Sequence, residues 1–159
     1  MTTFGADTPD TRCLPAGLFG FGDIAPGDVV ETGSVSVTAA MIDRFADMTG
    51  DRFEIHMSDE AAARHGFAQR VAHGLLVLSL TDGLKNQAPA QFKAQASLGW
   101  DWNFLEPVIA GDTVSATIEV RAIKPVSAGD RAVVTLDVDT RNQSGVTVQR
   151  GTNRLMVYA

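Results

Sequence analysis

Apolar positions recur at helical spacing in the first half of the chain and at every second residue in most of the second half, so a helical part and a sheet part are expected in that order. After the turn residues Pro26-Gly27-Asp28, Val29, Val30, Val35 and Val37 form a strand-like run broken near Gly33. Thr38 can cap a helix whose Met41, Ile42, Phe45 and Met48 share one face, while Asp43, Arg44 and Asp47 point away and Gly50 ends it. Ser58 is a second cap, with Asp59 and Glu60 at the positive end of a short helix dipole and Arg64 and His65 at the negative end, before Gly66. From Gly74 to about residue 87, Leu75, Leu76, Val77, Leu78, Leu80 and Leu84 cover nearly every face, which predicts a helix enclosed by other structure.

After Pro89 the period becomes two. Ala96, Leu98, Trp100, Trp102 and Phe104 alternate with polar residues or glycine, as do Val114, Ala116, Ile118, Val120 and Ala122, which predicts two half-buried strands. Further strands are expected at about 131–141 and 146–158, joined by the hairpin residues Asn142-Gln143-Ser144-Gly145, with a turn at Ser127-Ala128-Gly129-Asp130 before them. A parallel βαβ fold would need a helix between successive strands, so the layout is α+β with an antiparallel sheet, and the helix at 74–87 should lie against its concave face. Residues 1–20 show no sustained period and are expected to be an N-terminal extension to one domain at 21–159.

Composition narrows the class of protein. A chain of 159 residues that is 45% hydrophobic suits a single core. A net charge of -6 repels nucleic acid and anionic membrane surfaces, so neither is an expected partner. Cys13 stands alone and cannot form an internal disulfide. The first residues lack a basic segment followed by an apolar run, and no stretch reaches the roughly 18 apolar residues of a spanning helix. The cytoplasm is the expected compartment.

The candidate chemistry lies between the helices. Asp51 and His56 are five residues apart in Gly50-Asp51-Arg52-Phe53-Glu54-Ile55-His56, and Val71-Ala72-His73-Gly74-Leu75-Leu76 follows one short helix later. A carboxylate and an imidazole brought beside a glycine-started helix supply a proton acceptor, a proton donor and a backbone N–H for a developing oxyanion, the needs of adding or removing water next to a carbonyl. The same residue types have other uses: Asp51 can stabilise a turn, His56 can be a hydrogen-bonded core residue, and His73 can line a pocket or fix the helix entry. Asp51, His56 and His73 could also ligate zinc, but their spacing lacks a tight ligand pattern, so no metal site is expected.

These segments resemble the MaoC-like dehydratases, the hotdog-fold family that includes (R)-specific enoyl-CoA hydratases. The family pattern, approximately Gly-Asp-x-Asn-Pro-x-His, Gly-Phe and Ile-Ala-His-Gly followed by two hydrophobic residues, is met by Gly50-Asp51, His56, Gly66-Phe67 and Val71 to Leu76. Pro107-Val108 and Gly111-Asp112-Thr113 match further along, so the likeness covers roughly residues 22–158. The resemblance implies a single hotdog, a sheet wrapped around a long central helix, acting on an acyl-CoA thioester as at least a homodimer and without a metal or redox cofactor. It implies that Asp51 and His56 hold a water, with Asp51 drawing a proton and His56 delivering one, and that the Gly74 N–H receives the oxyanion. Phe53 and Glu54 replace the usual Asn-Pro, and Asp82 stands where some hydratases carry Ser. Phe53, His73 and Asp82 are candidate substrate contacts on this basis, and Arg64 and Arg70 are candidates for the CoA phosphates. A thioesterase and a non-catalytic acyl-CoA-binding hotdog are the rival readings.

Overall fold

The computed structural model describes residues 11–159, so the first ten residues of the expected extension lie outside the described residues. In chain order the elements are β1 (Gly17–Phe19), β2 (Val29–Ser36), α1 (Ala39–Thr49), α2 (Glu54–Met57), α3 (Asp59–Arg64), α4 (Gly74–Gln87), β3 (Ala90–Phe92), β4 (Ala94–Phe104), β5 (Thr113–Pro125), β6 (Arg131–Asn142) and β7 (Thr147–Tyr158). Five strands form one antiparallel sheet in the order β2-β5-β6-β7-β4.

Alternation explains why the sheet has one core face. Val114, Ala116, Ile118 and Val120 of β5 and Ala132, Val134, Leu136 and Val138 of β6 are buried, and Ile118 pairs with Val138 across the ladder. A pairing slip of one residue would turn both sets to solvent, so this pattern fixes the register. The break at Gly33 is present as a register shift between Glu31 and Ser34.

Helix α4 crosses the core face and is attached to it by polar contacts as well as apolar ones. At its start Gln149 Nε2 donates to the Gly74 carbonyl at 3.0 Å, in its middle Thr81 and Thr140 share a hydroxyl hydrogen bond at 3.0 Å, and near its end Lys85 Nζ donates to Asn153 Oδ1 at 2.8 Å. The buried Lys85 ammonium is also paired with Asp82 at 2.7 Å and lies over the Trp100 ring.

The structure departs from the pattern-based expectations at several points. Residues 11–19 follow the domain closely: Leu14 joins the core, Arg12 pairs with buried Asp28, and β1 pairs in parallel with β3. Met48 does not share the inner face of α1, being 76% exposed, because Ile42, Phe45 and Ala46 complete that stripe. Helix α4 is not enclosed all round in the single chain: Leu75 is 60% exposed. Strand β4 is a sheet edge whose pairing shifts at Ala94/Ala96 and Ser97/Gly99, which interrupts strict alternation and leaves Leu98 and Phe104 exposed.

Candidate active site

The site forms where two chain segments are laced together. Helix α1 ends on Gly50 in the left-handed region, φ 78°, and its N–H closes on the Ala46 carbonyl. The chain then reverses through Asp51, whose carboxylate accepts from the Phe53 N–H at 3.2 Å, and the single turn of α2 carries His56 inward. The second segment meets it there. Val71 N–H donates to the Ile55 carbonyl, Ala72 N–H donates to the Val108 carbonyl, and His73 stands as the N-cap of α4.

His56 is buried, and its Nδ1–H donates to the Val71 carbonyl at 2.6 Å. A carbonyl only accepts, so this contact fixes the proton on Nδ1 of the neutral ring and leaves Nε2 as a bare acceptor. Burial holds His56 below the ordinary imidazole pKa, with the Val71 carbonyl and the Asp51 charge acting in the opposite direction. One carboxylate oxygen of Asp51 and one ring nitrogen each of His56 and His73 lie within 4.8 Å of one another. That is close enough for one water to bridge two of them, since two hydrogen bonds in series span up to roughly 5.6 Å. It is a looser grouping than the edge of about 3.4 Å expected for ligands around tetrahedral zinc, and each ring already gives one nitrogen to a carbonyl.

A cleft of about 300 Å³ opens beside His56, walled by Ile55, Phe67, Gly74, Val77, Phe104 and Gln149. Gly74 is required there by space: a Cβ at this position would run into the Phe104 ring. The first N–H groups of α4 therefore meet the cleft at a helix N-terminus, where partial positive charge favours an oxyanion. A larger trough of about 530 Å³ lies on the opposite face of the sheet, but its charged side chains pair with one another, as Arg121 does with Asp137 and as Arg141 and Arg150 do with Asp139.

The remaining candidates sort by place. Phe53 is exposed with its ring edge-on to His56, centroids 6.2 Å apart. His73 is buried under the site and stacked on His56 at 3.9 Å, so it faces the protein and not the cleft. Arg70 is engaged in structure: Nε donates to the His56 carbonyl at 2.7 Å and the guanidinium pairs with Asp43. Arg64 lies on the surface and pairs with Glu54, which also binds His65, and those two partners hold the Glu54 carboxyl below its usual pKa. Asp82 is two turns further along α4 from Gly74, beside Lys85 and outside the cleft wall. Sequence reasoning missed Gln149 and the contribution of Trp102. Gln149 is 2% exposed, accepts from Trp102 Nε1 at 2.8 Å and holds Gly74; a lone Gln in an alternating strand carried no signal of this.

Comparison with known proteins agrees with this architecture. The model of the MaoC like domain matches residues 23–143, and the chain belongs to that hydratase/dehydratase family. Protein MaoC of Klebsiella aerogenes is 36% identical over 115 residues, 72% of this chain but only 34% of that protein, so the chain spans about a third of its length. The (R)-specific enoyl-CoA hydratase of Aeromonas caviae is 32% identical over 113 residues, covering 71% of this chain and 81% of that one. The crystal structure of a MaoC-like dehydratase from Rhodospirillum rubrum superposes with a TM-score of 0.80 at 30% identity, covering 88% of this chain and 97% of the other. The fold is a single hotdog, α+β, with α4 as its central helix.

Proposed function

We infer that the protein reversibly hydrates a trans-2-enoyl-CoA to an (R)-3-hydroxyacyl-CoA. The observation that carries this reading is the hydrogen bond from His56 Nδ1 to the Val71 carbonyl, which leaves the other ring nitrogen available as a base on a residue that sits close to Asp51 and shares its cleft with Gly74. The resemblance implied Asp51 as the proton acceptor; in this reading His56 takes that part. As the water oxygen bonds to the β-carbon, His56 Nε2 takes one of its protons, and the alkene electron pair moves onto the thioester carbonyl. Asp51 accepts the hydrogen bond of the second water hydrogen and steadies the imidazolium. The enolate oxygen faces the N–H groups that begin α4, and the proton on His56 then passes to the α-carbon. Dehydration is the same path reversed. This sequence uses no redox group and no metal. General acid–base help of this kind is worth about 10²–10⁴-fold, and an oxyanion donor about 3–4 kcal/mol, so both are needed for full activity.

The active unit in this reading is a homodimer. Among the described residues strand β4 is a sheet edge, and it carries exposed Leu98 and Phe104 with exposed Leu105 just after it, so a second copy would cover apolar surface and continue the sheet.

The test is a panel of enoyl-CoA thioesters followed by loss of conjugated ultraviolet absorbance and by chiral analysis of the product. Asp51→Asn and His56→Ala should each abolish most turnover with the fold intact; wild-type rates in both would overturn the assignment. Release of free thiol would point instead to a thioesterase, and binding without turnover to a non-catalytic acyl-CoA-binding protein.

A further inference from the structure

His73 occupies the centre of the site and is only 2% exposed. Its ring lies between two others: Phe45, tilted at 4.9 Å, and His56, stacked at 3.9 Å with 27° between the planes. Nε2–H donates to the Asp51 carbonyl at 2.8 Å, and Nδ1 is buried without a hydrogen-bond partner among the described residues. We propose that His73 is a positioning residue which, as a neutral Nε2–H tautomer, ties the Asp51 main chain to the start of α4 and forms the wall that holds the His56 ring in place. Its kinetic consequences rest on the hydratase reading; its tautomer and contacts do not.

Three features support this. His73 is the N-cap of α4, a position where Ser, Thr, Asp or Asn would turn a side-chain oxygen onto the first helical N–H groups, yet its side chain makes no such bond. A capping side chain would turn into the helix mouth onto the N–H groups of the second or third helical residue, next to the Gly74 N–H assigned to the thioester oxygen. By directing its ring inward, His73 leaves those donors free and uses its own N–H on the residue that must meet the water. Finally, a proton on Nδ1 would place a second buried cation against His56. The titratable and charged groups that face His56 are Asp51, His73 and Arg70, the last already paired with Asp43. Asp51 favours a charged His56, while Arg70 and a proton on His73 would oppose it.

The experiment combines ring-nitrogen NMR with kinetics. Only His56, His65 and His73 contribute histidine signals, so labelling with ¹⁵N-histidine gives an assignable spectrum. In the wild type, neutral His73 should be the Nε2–H tautomer and neutral His56 the Nδ1–H form. His73→Phe keeps an aromatic wall and removes the donor; with trans-2-butenoyl-CoA its kcat should fall about 10–100-fold while KM changes by less than about threefold. His73→Gln keeps an N–H for the Asp51 carbonyl and should recover part of that loss. A neutral His73 that carries its proton on Nδ1 overturns the proposal, as does wild-type kcat in both variants. If His73→Phe does not fold, His73→Gln and the wild-type spectrum decide. If the wild type hydrates no enoyl thioester, the functional reading fails while the spectrum still judges the placement of His73.

Discussion

Replacing Gln149 with Leu tests whether the first turn of α4 is held by polar contacts or by packing alone. The substitution keeps nearly the same volume and removes two hydrogen bonds, one from Trp102 Nε1–H and one to the Gly74 carbonyl. The indole N–H, on a half-buried ring, is left without its partner, whereas the Gly74 carbonyl can still accept within the helix. A stranded donor of this kind costs about 1–3 kcal/mol. For a chain of this size each kcal/mol lowers Tm by about 2–4 °C, so a fall of about 2–12 °C is expected by scanning calorimetry or circular dichroism. Turnover should fall further than binding, because the peptide that begins α4 loses its orientation. Trp102→Phe separates the two bonds: it removes the indole donor and leaves Gln149 on Gly74, so kcat should suffer less than in Gln149→Leu at comparable stability. A Gln149→Leu protein within about 0.5 kcal/mol of wild type and equally active would refute the view that this pair holds the helix start.

The pH dependence follows from His56. Because its folded pKa is depressed, the acid limb of kcat/KM should lie below the ordinary imidazole value of about 6.5, and a limb at or above that value would contradict a buried, neutral base. The same shift contributes stability above the unfolded pKa that is lost as pH falls through the folded one, since the unfolded chain binds the proton first; urea unfolding at several pH values should show this component in the wild type and not in His56→Gln. Gly50→Ala has open space around the new methyl group but must adopt φ 78°, so it should cost about 1–2 kcal/mol in chemical denaturation through backbone strain alone, and a neutral result would show that the end of α1 relaxes freely.

Local chemistry made much of the fold legible. Gly50 marked the end of α1 because a left-handed residue is needed there, Ser58 marked α3 because its hydroxyl accepts from the Ala61 N–H, and alternation gave β5 and β6 because one face is buried. The two site motifs were visible as short segments, and the main-chain bond between Val71 and Ile55 explains why they meet. Features that depend on distant partners were not visible. The parallel pairing of β1 with β3 joins residues about seventy apart and has no local period, as the register of Gly17 with Ala90 illustrates. The single turn α2 is too short to show periodicity, and nothing in the alternation around Trp102 marks β4 as an edge. The sequence left His73 either lining a pocket or fixing the helix entry, because the choice depends on Phe45 and His56 from other elements, which set its burial.

The spacing of the polar attachments along α4 has a consequence for how such a site can change. Greasy surfaces tolerate small sliding and rotation of one element over another, because dispersion has little directional preference. Gln149, Thr140 and Asn153 grip the rod at its beginning, middle and far end, and each grip is satisfied at only one axial setting. Swapping all three for aliphatic residues would leave helix and sheet content almost untouched while letting the rod drift. The donors at its tip would then sample a range of locations, and the site would lose accuracy long before the protein lost its shape.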